Sequence, residues 1–287
     1  MVEGDVETAV RAARSWMFTP ATRREDFEAA ARCGADAVIL DLEDSVRPQD
    51  KAIARAFVVE HLSGAHGDGL VTSVRINPAA TAVGLADLTA LISAGNDPDV
   101  LVLPRTESAG ALGVIENLLF EAGSRTMLVP LIETARGLRA LPRLLASQTR
   151  VVGVLASTAD IAADLGGAGD PEVAASVRAS AVRAASAAEV VAIDSPFFGA
   201  DPAELERQAR GAAGSGCTAK AAVHSGQLAA INAAFAPTAE ELRWAHDVLK
   251  RSAARLPDVE EADAARARRY LQRARPTAER APEPAAI

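Results

Sequence analysis

Glu133 closes an apolar run, Met127 to Ile132, that has the composition of a buried strand, and a helical pattern begins directly after it. A carboxylate at the last position of such a strand has no packing reason to be there. A second acid, Asp160, follows the next strand-like run, Val151 to Leu155, after a short loop. Two carboxylates from neighbouring strand ends form a cradle for a hard divalent cation that keeps positions open for a substrate. Arg75 lies in a third run, Val71 to Asn77, and a buried guanidinium at a strand end needs an anion, either a carboxylate or a substrate. A cation on Glu133 and Asp160 would take the carboxylate and the adjacent oxygen of a 2-oxo or 2-hydroxy acid. Arg75 would then stabilise negative charge developing on that oxygen. That chemistry suits making or breaking a carbon–carbon bond beside a carbonyl.

The elements that must position these residues recur along the chain. Strand-like runs fall at Ser15–Thr19, Ala37–Glu43, Val71–Asn77, Val100–Pro104, Met127–Glu133, Val151–Leu155, Val190–Ser195 and Ala219–His224, nearly all followed by a helical stretch. Helices are read at Arg24–Arg32, Gln49–His61 and Leu85–Ser93. Strands alternating with helices predict a parallel sheet. Eight such units in 287 residues predict an α/β protein of the closed (β/α)8 TIM-barrel class. An open doubly wound sheet would carry a Gly-rich dinucleotide turn after its first strand, where this chain has Phe18-Thr19-Pro20-Ala21. Two further helical stretches, Glu240–Ala253 and Glu260–Ala274, are too polar for a barrel core. The expected organisation is a barrel over residues 1–235, a C-terminal helical extension over 236–275 serving as cap or oligomer contact, and a disordered Pro, Ala and Glu-rich tail over 276–287.

Polar residues at strand carboxyl ends form the active face of such a barrel. Besides Arg75, Glu133 and Asp160 these are Asp41, Glu43 and Asp44 after the second strand, Arg105 and Glu107 after the fourth, Asp194 after the seventh and His224 after the eighth. Any of the three clustered acids serves equally well as a helix cap or a partner for Arg14 or Arg75. Asp194, before Ser195-Pro196, reads as a turn-shaping residue and His224 as a satisfied strand-end side chain. A Schiff-base aldolase needs a lysine in the barrel mouth, and the chain has only Lys51, Lys220 and Lys250. Lys220 falls early in the eighth strand and the other two in helices.

Hydrophobic residues make up 49% of the chain and aromatics only 3%, so the core must be built from Ala, Val, Leu and Ile. The net charge of −8, with no basic stripe, argues against nucleic-acid binding. Cys33 and Cys217 have neither zinc nor disulfide-framework spacing. The acidic Met1–Val10 segment is unlike a signal peptide, and no apolar run spans a membrane. A cytoplasmic protein with no membrane partner is expected.

The motifs in combination resemble the citrate lyase β-subunit-like family of malyl-CoA and citramalyl-CoA lyases, in the phosphoenolpyruvate/pyruvate barrel superfamily. The matching segments are Arg14-Ser15-Trp16-Met17-Phe18-Thr19-Pro20, Leu40-Asp41-Leu42-Glu43-Asp44-Ser45-Val46 with Lys51 and Arg55, and Arg75-Ile76-Asn77-Pro78. Leu103-Pro104-Arg105-Thr106-Glu107-Ser108, Leu131-Ile132-Glu133-Thr134-Ala135-Arg136-Gly137, Asp160 with Asp164-Leu165-Gly166, and Lys220 with His224 and Gln227 complete them. The resemblance runs from about Arg14 to Leu249. It implies a Mg2+-dependent lyase, with Mn2+ as the substitute ion, that acts on a β-hydroxyacyl thioester, the acyl carrier being CoA. Malyl-CoA, citramalyl-CoA or a citryl thioester would give a 2-oxo acid and an acyl-CoA. It also implies Glu133 and Asp160 as metal ligands and Arg75 as the group that binds and polarises the oxo-acid oxygen. Glu43 and Asp44 would sit in the polar shell of the site with Arg14 near it, in a homo-oligomer, a trimer or hexamer.

The chain departs from the family at three places. Ser157-Thr158-Ala159-Asp160 carries Ala159 where a glutamate is usual, and the strand-eight pairs read Ala219-Lys220 and His224-Ser225. The lid segment, Arg255-Leu256-Pro257-Asp258-Val259-Glu260, is shortened and lacks its glycine. The metal and oxo-acid half of the site is intact, whereas the thioester half differs. The alternatives are therefore a malyl-CoA thioesterase or malate-synthase-like enzyme, an aldolase on a non-CoA hydroxy acid, and a non-catalytic binding subunit of a complex.

Overall fold

The computed structural model describes residues 3–64, 69–146, 149–167, 171–254 and 260–274. The expected disordered tail and the lid residues Arg255 to Val259, Asp258 among them, lie outside the described residues. Helix α1 (Glu3–Ala12) leads into β1 (Ser15–Pro20), α2 (Arg24–Arg32), β2 (Ala37–Asp41), α3 (Lys51–Leu62), β3 (Val71–Arg75) and α4 (Ala82–Ala94). Then follow β4 (Val100–Leu103), α5 (Ala109–Glu121), β5 (Met127–Ile132), α6 (Ala135–Ala146), β6 (Gly153–Ala156), α7 (Thr158–Asp164) and α8 (Pro171–Ala187). Strand β7 (Val191–Asp194), α9 (Pro202–Gly214), β8 (Ala219–Ala222) and α10 (Leu228–Phe235) complete the repeat, followed by α11 (Ala239–Ala253) and α12 (Glu261–Arg273). The eight strands pair in sequence order, all parallel, and β1 closes on β8. The expected (β/α)8 barrel and its C-terminal helical extension are both present.

Alternation along the strands decides what faces the axis. Ala37 and Ile39, Val100 and Val102, Met127, Val129 and Leu131, Val191 and Ile193, and Ala219 and Ala221 share one buried cluster that fills the barrel. Leu40, Leu101, Leu103, Leu128 and Ile132, of the opposite parity, pack outwards against the helices. Burying each such side chain stabilises the fold by about 1.5–3 kcal/mol, so a one-residue slip in any strand is strongly disfavoured.

The acidic N-terminal segment, given no element from its sequence, is structured. It forms α1, and its Val6, Ala9 and Val10, spaced to share one helical face, join the barrel-filling cluster. At the far end, α11 and α12 form a hairpin with its own small core of Ala245, Val248 and Ala267, edged by Trp244 and Tyr270. A capping box at Thr238 and Glu241 starts α11. No helix among the described residues is long and apolar enough to cross a membrane.

Candidate active site

Strand β2 stops two residues short of its expected end, and Asp41 is the cause. Its carboxylate accepts the N–H of Glu43 at 2.9 Å and of Ser45 at 3.2 Å, which curls the backbone out of the sheet. Asp41 and Arg75 are register partners on β2 and β3, and both have the inward parity. Arg75 Nε and Nη2 each donate to an Asp41 oxygen at 2.7 Å, a bidentate pair with Asp41 1% and Arg75 8% exposed. Burial alone would raise the Asp41 carboxyl, but the hydrogen bonds and charge of Arg75 outweigh it and hold the group below its ordinary value. Burial likewise works against the Arg75 charge, and Asp41, Glu43 and Asp44 more than offset it. The ring of Phe18, 4.9 Å from the guanidinium carbon, covers one face of Arg75.

The third guanidinium nitrogen, Nη1, lies 2.7 Å from Glu43 Oε2 and 3.5 Å from Asp44 Oδ2. The Glu43 contact is not a hydrogen bond, because its angles are unsuitable, and Glu43 Oε2 has no hydrogen-bond partner elsewhere. Burial, followed by the neighbouring charges of Asp44, Glu133 and Asp41, pushes the Glu43 carboxyl up to about 8 against the opposing pull of Arg75. Glu133, just past β5, turns into the same space and accepts the backbone N–H of Arg105 at 2.8 Å. Arg105 adopts a left-handed backbone with φ of 50°, an uncommon conformation for a residue with a side chain. Burial raises the Glu133 carboxyl as well, with Arg105 and Arg75 opposing and Asp160 and Asp44 adding to it.

One oxygen each from Glu43, Asp44 and Glu133 lies within 4.8 Å of the other two. Three carboxylates, one of them with a buried oxygen that makes no hydrogen bond, beside an Arg75 whose hydrogen bonds go mainly to Asp41, fit a hard divalent cation bound through oxygen.

Several expectations need correcting. Arg14, expected near the site, precedes β1 at the opposite end of the barrel, where its Nε donates to Asp36 at 2.8 Å. Its position before the start of β1, at the end remote from Arg75 and Glu133, keeps it from the mouth. Asp160, expected to share a cation with Glu133, is exposed in the first turn of α7, where its carboxylate meets the N-cap hydroxyl of Ser157. It is close enough to raise the Glu133 carboxyl but is not one of the three converging acids. Asp194 does not shape a turn. With Lys220 it has the outward parity, and the two form a buried ion pair at 2.6 Å between barrel and helices, joined by Arg178 of α8. Orientation rather than height in the strand keeps Lys220 from the mouth. His224 is exposed at the start of a single 3-10 turn, Ser225–Gln227.

The sequence offered Arg14 or Arg75 as a partner to any of Asp41, Glu43 and Asp44 without singling out the Asp41–Arg75 pair, although equal distance from two parallel strand ends was a usable signal. Nothing in the sequence indicated the Arg105 backbone contact.

Residues 14–225 match the HpcH/HpaI aldolase/citrate lyase family. A citrate lyase subunit beta-like protein of Mycobacterium tuberculosis is 35% identical over 245 residues, 83% of this chain and 84% of that protein. An L-malyl-CoA/beta-methylmalyl-CoA lyase of Cereibacter sphaeroides is 31% identical over 265 residues, 82% of this chain and 83% of that enzyme. Among solved structures, the protein CitE of M. tuberculosis in complex with magnesium, acetoacetate and coenzyme A superimposes with a TM-score of 0.72 at 33% identity, covering 92% of this chain and 99% of that one. With this barrel and acidic site, the chain belongs to the HpcH/HpaI aldolase/citrate lyase family, enzymes that act as carbon–carbon lyases.

Proposed function

We propose that the protein is a Mg2+-dependent lyase that cleaves or forms the bond between a 2-oxo acid and the acyl α-carbon of a CoA thioester, with malyl-CoA or citramalyl-CoA as the substrate type. The observation that carries this is the convergence of Glu43, Asp44 and Glu133 beside Arg75, with the buried Glu43 Oε2 left without a hydrogen bond. The magnesium-bound relative and the malyl-CoA lyase relative support it. Glu133 and Asp160 would hold the ion, and Glu43 and Asp44 would face it from the turn after β2. Mn2+ is the expected substitute. When bound, the ion supplies Lewis-acid polarisation of the oxo-acid oxygen.

Arg75 would add a fixed positive charge beside that oxygen. Its Asp41 partner prevents it from moving away, so little reorganisation is needed as charge develops. In the cleavage direction a base would take the β-hydroxyl proton, the hydroxyl oxygen would become the oxo group of the 2-oxo acid and the carbon–carbon bond would break, the same proton being available to return to the product. The bonding pair passes to the thioester carbonyl as an enolate, and protonation of its carbon gives the acyl-CoA. Glu43, held protonated near neutral pH before the ion enters, would exchange its proton as charge arrives in the site. A cytoplasmic homo-oligomer, a trimer or hexamer, belongs to the same proposal and is tested by light scattering.

The experiment is to incubate purified protein with malyl-CoA and citramalyl-CoA, with Mg2+ or with chelator, and to resolve the products by chromatography. Glyoxylate or pyruvate appearing with acetyl-CoA, only with metal and not in Glu133→Ala, is the expected result. Free CoA with intact hydroxy acid would replace lysis by thioester hydrolysis. Calorimetric binding of metal and oxo acid without turnover would make the chain a binding subunit.

A further inference from the structure

Behind the acidic cluster lies a second set of polar groups that does not face the mouth. Asp87 of α4 is wholly buried, and its Oδ1 accepts from Arg55 Nε of α3 at 2.7 Å. Its Oδ2 accepts both the backbone N–H of Asn77 at 2.9 Å and the Asn77 side-chain amide at 2.7 Å. That amide also donates to the carbonyl of Leu42 at 2.9 Å. Lys51, the first residue of α3, reaches the same segment, and its Nζ donates to the carbonyls of Leu42 at 2.7 Å and Glu43 at 2.6 Å. The backbone carrying Glu43 and Asp44 is therefore gripped from two elements. The grip is braced by α4, because a Cβ on Gly84 would lie 2.3 Å from the Pro78 carbonyl oxygen and 2.5 Å from that of Asn77.

Hydrophobic side chains of similar size would fill this volume at less desolvation cost. What they would not do is fix the direction of a short turn. Leu42 to Val46 lies outside the sheet, and only one of its backbone hydrogen bonds, Leu42 N–H to the Arg75 carbonyl, comes from a neighbouring strand.

We propose that Lys51 is a positioning residue: its ammonium, clamping the Leu42 and Glu43 carbonyls with Asn77, Asp87 and Arg55 behind it, aims Glu43 and Asp44 at Glu133. This rests on reading the three acids as a cation site. Three roles for Lys51 predict different signs. The charges that act on it most are those of Asp41, Glu43, Asp87 and Asp44, so removing the ammonium makes the site more negative, and Coulomb attraction alone would strengthen cation binding. A merely structural role would lower stability and leave affinity unchanged. Positioning weakens binding in spite of the added negative charge.

The test compares wild-type protein, Lys51→Met and Lys51→Arg in calorimetric Mg2+ titrations and, without metal, in amide hydrogen exchange of Glu43, Ser45 and Val46. These three amides are hydrogen-bonded within the turn, so they report its order directly. Lys51→Met is expected to weaken Mg2+ about tenfold or more and to speed exchange at these amides by a similar factor, and Lys51→Arg to restore most of both. If Lys51→Met does not fold, Lys51→Gln, whose amide spans one carbonyl at most, is expected to shift both readouts in the same direction. Equal or tighter Mg2+ binding in the Met or Gln variant, or unchanged exchange, overturns the proposal. Failure of the wild-type protein to bind Mg2+ removes the cation reading instead, and the exchange comparison alone then decides the clamp.

Discussion

Glu43 holds a proton near neutral pH in the metal-free protein, and a divalent cation bound beside it on Glu133 must displace that proton. With the Glu43 carboxyl pushed up to about 8, apparent Mg2+ affinity should fall tenfold per pH unit well below 8 and be halved at 8. From pH 8 to pH 6 the loss is then about 50-fold, a change of about 2.3 kcal/mol in binding free energy. Glu133 is raised by burial too and adds to the trend, whereas Asp41 is held low and contributes nothing in this range. Calorimetry in buffers of different ionisation enthalpy measures both the affinity and the protons released, which should approach one per ion at pH 7. Glu43→Gln removes the titrating group, so it should bind more weakly at pH 8 but lose most of the pH dependence. The metal-free protein should show the opposite sign in stability. A folded carboxyl raised above its unfolded value stabilises fully below about 4.5, and that contribution is lost as pH rises through about 8. Glu43→Gln should therefore unfold at higher urea than wild type at pH 9 without metal. Wild-type affinity that is flat from pH 6 to 8, or a Gln variant that keeps the full slope, would refute the assignment.

Asp41→Asn leaves the buried Arg75 without its bidentate partner and should cost about 3–5 kcal/mol in urea unfolding at pH 7. Because Asp41 is held below its ordinary value, this difference should shrink as pH falls through the acid range and Asp41 itself becomes protonated. Lys220→Met breaks the buried pair with Asp194 and should lower stability by about 3 kcal/mol, softened by the remaining Arg178 contact, while Mg2+ affinity measured by calorimetry stays within about twofold. Gly84→Ala forces a methyl against the Asn77–Pro78 carbonyls and should cost about 1–3 kcal/mol, seen as a lower urea midpoint.

The barrel was legible because its information is local and repeated. Each strand is a short apolar run with a helix after it, and eight of them leave few other closed arrangements. The C-terminal helices were legible from polarity, whereas α1 was not, since its buried face consists of small and β-branched residues scattered among acids. The candidate site was legible in part. Glu133 and Arg75 stand at strand ends where no apolar packing accounts for them, and both face the barrel mouth.

The sequence by itself therefore determined the barrel, the end of the strands at which chemistry would occur, and the types of residue available there. Tertiary structure alone decided the partners. Register set Asp41 beside Arg75, and outward parity sent Lys220 and Asp194 into the helix layer. The start of β1 left Arg14 with Asp36 at the opposite end, and a turn braced by Lys51 brought Glu43 and Asp44 to Glu133. The physical reason is that residue type and local pattern are properties of one segment. Whether two charges meet depends on the stagger between strands and on loop backbone held from other elements, which no single segment encodes.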